Sequence, residues 1–143
     1  MINHKVKVYP SKIKLNKKNQ LAWKIAEIAS DNAKLNNDSI EMVINRIIDN
    51  ASVAIASLNR NPVISAREMT KKHLRKNGAT IFGISPKIKF DCEWAAWVNG
   101  TAVRELDFHD TFLAADYSHP GDNIPPLIAV AQQSKRNGKD LLR

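Results

Sequence analysis

EWAAWVNGTAVRELDFHDTFLAADYSHPGDNIPPLIAVAQ, residues 93–132, reads as helix, loop, helix. Trp94, Trp97, Val98, Ala102 and Leu106 recur near the helical period, so they mark a face that packs inward. Both tryptophans are expected in the core, and Asp91 stands where it can cap the helix. After the loop from Asp107 to Asp122, Asn123 can cap a second helix. Its first turn contains Pro125 and Pro126, where proline costs no backbone hydrogen bond. Leu127, Ile128, Val130 and Ala131 extend its apolar face, and Gly138 is the expected stop.

The same reading extends towards the N-terminus. Ile40, Val43, Ile44, Ile47, Ala51, Ala54, Ile55 and Leu58 keep a helical period from Asp38 or Ser39 until Asn59–Pro62. Before it, Asn19 can cap a helix to about Lys34, with Leu21, Ile25, Ile28 and Ala29 on one face. A third helix is expected over about Val63–Lys76, closed by Asn77-Gly78. Ala79–Gly83 is a short apolar strand or connector, and residues 1–18 form an extended basic arm. The class is mainly α: one partial helical domain over 1–143, with helices across 19–143 around a candidate active-site loop at 107–122. Asp140-Leu-Leu-Arg opens as another helix and stops after one turn, which reads as a chain cut within its fold.

Composition narrows the function. The chain has 143 residues and a formal net charge of +8, yet half of its 14 acids lie between Phe90 and Asn123: Asp91, Glu93, Glu105, Asp107, Asp110, Asp116 and Asp122. Arg104 is the one base among them, and His109 and His119 share the stretch. Carboxylates, histidines and Thr111 crowded beside a His-Pro-Gly turn suit proton transfer or metal ligation. The basic segments, by contrast, carry no nucleic-acid recognition motif and little aromatic interleaving, so they read as a lysine-rich solvated surface. A single cysteine, Cys92, excludes an internal disulfide and an iron–sulfur cluster held wholly by this chain. It reads as a small hydrophobe. No membrane span or signal peptide is legible, and a cytoplasmic location is expected.

GATIFG (78–83) together with residues 93–132 resembles the cluster-independent 2-methylcitrate dehydratases, a family that includes cis-aconitate decarboxylase. The resemblance implies the first part of a large all-helical domain, about a third of a full-length member. It implies dehydration of a tricarboxylate, 2-methylcitrate, to 2-methyl-cis-aconitate in propionate breakdown, with no metal or other cofactor and with a homodimer as the assembled form. The family's catalytic aspartate falls on Asp107, its threonine on Thr111 and its histidine on His119. The lysines and further histidines of the pocket would lie beyond Arg143.

These assignments suit the residue types. Eliminating water beside a carboxylate needs a base for the carbon-bound proton and an acid for the leaving hydroxyl. Histidine as a residue type can take up and release a proton near neutral pH, so His119 can take one of those parts. Asp107 could orient it, take a proton or bind a substrate hydroxyl. Thr111 is a neutral donor, and Asn123 with the helix start behind it can receive an anion. His109 is as readily structural as functional. Asp110, Asp116 and Asp122 read as loop and capping residues. Two rival readings remain: a helical remnant without activity, and a metal-binding module using His109 and His119 with Asp110 and Asp122, although their spacing matches no standard zinc signature.

Overall fold

A computed structural model describes residues 2–32 and 34–143, which divide into two compact units. The first runs to Asn36 and includes Arg143; the second spans Asn37–Leu142. In the first unit, Asn16 caps a short 3-10 turn at Lys17–Asn19, and α1 covers Leu21–Ala29. This helix is shorter than expected and has no side-chain cap, and Leu21, Ile25 and Ile28 are exposed. The expected end at Lys34 is replaced by a turn at Ser30, whose hydroxyl donates to the Ala26 carbonyl (2.9 Å). Glu27 ties the arm to this helix: its carboxylate lies 3.0 Å from His4 Nε2 and accepts from Trp23 Nε1 (2.8 Å).

The second unit is mainly α, built around α4 (Cys92–Arg104). Ala95, Val98, Asn99, Ala102 and Val103 are buried at the i, i+3, i+4, i+7, i+8 spacing of one helix face. Against it pack α2 (Asn37–Ala56), α3 (Asn61–Thr70) and α5 (Ile124–Gln133). The core holds two clusters. One gathers Ala66, Ile81, Phe90, Ala95, Val98 and Ala129; the other joins Ala54, Val63, Ala102 and Val103. Small residues at these positions let the helix backbones approach closely. Ser57 Oγ exploits this by donating to the Ala102 carbonyl of α4 (2.7 Å).

Several local expectations are corrected. α3 stops at Thr70, and Leu74–Ala79 forms strand β1 rather than a helix end. Arg75 N–H donates to Lys89 O and Asp91 N–H to His73 O, both at 3.0 Å, so the chain lies antiparallel beside Phe90. Non-local pairing outweighs helical propensity here. Gly78 is buried in that contact: a Cβ on it would stand 2.0 Å from the Phe90 carbonyl oxygen. Asp91 stands at the N-cap of α4, as expected, but its side chain makes no cap hydrogen bond. The Cys92 N–H donates instead to Gln133 Oε1 of α5 (2.9 Å), and Asp91 accepts from Arg75 (2.9 Å). Asn123 likewise makes no side-chain cap.

The helix end after α5 differs too. Lys135 at φ 55 closes α5, with Arg136 N–H reaching back to Ala131 O (2.8 Å) and Lys135 N–H to Gln132 O (3.1 Å). Gly138 is not its stop. It opens α6 (Gly138–Leu141), which Asn137 and Asp140 cap reciprocally.

The tryptophans are not core residues. Trp97 is 46% exposed, and Trp94 is half-buried, stacked on His73 at a centroid distance of 3.8 Å. On α2 the period correctly gives the helix and most of its inward side, with Ile40, Val43, Ile47 and Ala51 partly buried beside Ala54, but not its full extent. Asn50, Val53 and Ala54 are buried, whereas Ile44 and Ile55 are exposed.

Candidate active site

The loop after α4 contains a hairpin that its sequence did not reveal. β2 (Phe112–Leu113) pairs antiparallel with β3 (Tyr117–Ser118), with Phe112 opposite Ser118. Continuing that register sets Thr111 against His119, and Thr111 Oγ1 lies 3.4 Å from His119 Nδ1. The same nitrogen lies 3.2 Å from the Asp110 carbonyl oxygen. Pro120–Asp122 then make a 3-10 turn that delivers the chain to α5.

Asp110 anchors this arrangement. Its side chain is fully out of solvent, and such a carboxylate must be paired and hydrogen-bonded to stay there. Oδ1 accepts from Gly121 N–H (3.1 Å) and Asn50 Nδ2 (3.2 Å), while Oδ2 faces Arg46 Nε at 3.5 Å. Gly121 fits because it has no Cβ. A methyl there would meet Val103 Cγ1 at 3.0 Å and Asn50 Oδ1 at 3.2 Å. Arg46 and Asn50 are one helical turn apart on α2. That polar pair, breaking an apolar face, is the signal in the sequence for a partner across the fold; the apolar period alone does not contain it.

The other predicted residues are placed differently. Asp107 is exposed at φ 48, a left-handed conformation that aspartate tolerates. Its N–H donates to the Arg104 carbonyl (3.0 Å), and its carboxylate has no hydrogen bond or ion pair among the described residues. Asn123 is exposed at the start of α5. His109 packs edge-on against His119, with centroids 4.8 Å apart, and its Nε2 accepts from the Arg104 guanidinium. Arg104 also faces Asp122 Oδ1 at 3.5 Å. The structure therefore unites Thr111, His119 and Asp110 and leaves Asp107 outside their hydrogen bonds. Among the described residues no group of three or more His, Cys, Asp or Glu side chains is arranged to hold a metal ion. No helix there is long and apolar enough to cross a membrane.

Residues 19–143, which include every element of this site, match the model of the MmgE/PrpD N-terminal domain. The chain belongs to the MmgE/PrpD family. Among curated members of that family, it is 41% identical over 61 residues to 2-methylcitrate dehydratase of Salmonella typhimurium, a stretch covering 43% of this chain and 12% of that enzyme. It is 48% identical over 40 residues to the mitochondrial 2-methylcitrate dehydratase of Yarrowia lipolytica, covering 28% and 8%. Mouse cis-aconitate decarboxylase is 29% identical over 101 residues, covering 67% of this chain and 20% of that protein. The chain thus aligns with only a small fraction of the length of these MmgE/PrpD relatives.

Proposed function

We propose that this chain contributes the first part of a hydro-lyase that dehydrates 2-methylcitrate. The observation that carries this reading is the pairing of Thr111 with His119 across the hairpin, inside the segment that the family shares. In the proposed reaction a base removes a proton from the carbon beside a carboxylate while an acid protonates the departing hydroxyl; the carbon–oxygen bond breaks and a double bond forms. His119 takes one of these proton-transfer parts. Asp107 takes the other or orients the substrate hydroxyl, and its unengaged carboxylate is free to do either. Thr111 donates to a substrate carboxylate, and Asn123 receives substrate at the start of α5. The assembled enzyme is a homodimer in this reading, and no cofactor takes part.

The test is a hybrid in which residues 1–143 replace the corresponding part of the Salmonella enzyme. The expected result is metal-independent formation of the conjugated acid from 2-methylcitrate, followed by ultraviolet absorbance. A hybrid that folds but never turns over, or that works only with an added metal, would sink the proposal.

A further inference from the structure

His119 Nδ1 has two neighbours, the Asp110 carbonyl at 3.2 Å and the Thr111 hydroxyl at 3.4 Å. A carbonyl oxygen can only accept, so the proton of neutral His119 sits on Nδ1 and the lone pair on Nε2. Nε2 has no hydrogen-bond partner among the described residues. What holds the ring there is the closure of the turn onto α2. Asp110 Oδ1 receives the Gly121 N–H at 3.1 Å and is itself held by Asn50 of α2 at 3.2 Å. One residue therefore supplies both contacts: its carbonyl meets the ring nitrogen, and its buried carboxylate pins the turn that follows the ring.

We propose that Asp110 is the positioning residue that makes Nε2 the reactive nitrogen of His119. This inference rests on the reading of His119 as a proton-transfer residue, and it specifies which atom acts. The acid/base step passes through Nε2, and Nδ1 stays bonded to the backbone throughout. The Thr111 hydroxyl is then left to donate to substrate.

The experiment is a long-range nitrogen–proton NMR spectrum of the imidazole rings, recorded on the folded hybrid enzyme with 15N-labelled histidine at a pH where the rings are neutral. The expected result is a protonated Nδ1 and a bare Nε2. Asp110→Ala and Gly121→Ala, each checked for unchanged far-UV circular dichroism, are expected to shift the tautomer ratio towards Nε2–H by about tenfold, the scale of one lost hydrogen bond. Asp110→Asn keeps an oxygen to accept from Gly121 and is expected to retain the wild-type form. If Asp110→Ala does not fold, the other two variants decide. A wild-type proton on Nε2 overturns the proposal. So does a folded Asp110→Ala or Gly121→Ala with the original tautomer, or an Asp110→Asn that loses it. The spectrum reads protonation without turnover, so its failure is separate from a failure of the hybrid enzyme to turn over.

Discussion

At the scale of single residues, Asp107 and His119 make the sharpest chemical test. In the hybrid enzyme, Asp107→Asn and His119→Ala are each expected to lower kcat by roughly 10²-fold or more, measured by steady-state dehydration. Asparagine tolerates the left-handed backbone that Asp107 adopts, so that loss would report the missing charge rather than a moved chain. Near-full activity in His119→Ala would withdraw its catalytic assignment. Asp91 permits a second test. The Arg75 hydrogen bond holds its carboxyl below the usual 3.8. A lowered carboxylate contributes stability above its unfolded pKa and loses it as pH falls through the folded one. Asp91→Asn should therefore lower Tm at neutral pH, and the difference from wild type should vanish in acid below 3.8. A gap that persists unchanged at low pH would show that the charge is not its source.

At the scale of elements, the informative segment is β1. Its sequence, LRKNGA, has no strand signature, and Asn77-Gly78 resembles a helix stop. The structure uses the glycine for close backbone approach to Phe90 instead. Gly78→Ala is expected to destabilise the chain by about 3 kcal/mol, since overpacking a rigid contact costs ~1–3 kcal/mol and here the obstacle is backbone. Urea unfolding measures it; a change under about 0.5 kcal/mol would mean that β1 does not lie against Phe90 as described. A helix-stop role predicts less, because replacing glycine at a left-handed position costs about 1–2 kcal/mol.

At the scale of the whole molecule, the exposed apolar faces stand out. Ile44, Ile48 and Ile55 on α2 and Leu127 and Val130 on α5 are all about half exposed. Helical faces of this kind favour association or loose packing when nothing covers them. The 143-residue polypeptide by itself is expected to give helical far-UV circular dichroism, bind a hydrophobic dye and fail to dehydrate 2-methylcitrate. A compact, dye-negative monomer with dehydratase activity would contradict this, because residues 1–143 would then suffice for the site.

Periodicity alone determined that the chain is mainly helical, since apolar residues every three or four positions admit one regular structure. It located α2, α4 and α5, and the crowding of acids and histidines marked the loop between Asp107 and Asp122. Which residues complete each inward face was decided by packing: α2 adds Asn50 to the side that Ala54 marks because α4 offers Ala102 and Val103 there, and isoleucines at equally regular positions are left outside. The site divides in the same way. Thr111 and His119 were legible as residue types from the family motif, but their contact depends on a hairpin register that no local pattern encodes. Asp110 looked like one more loop carboxylate. Its importance comes from Asn50 and Arg46, sixty or more positions earlier, and only the folded chain brings such distant groups within hydrogen-bonding reach.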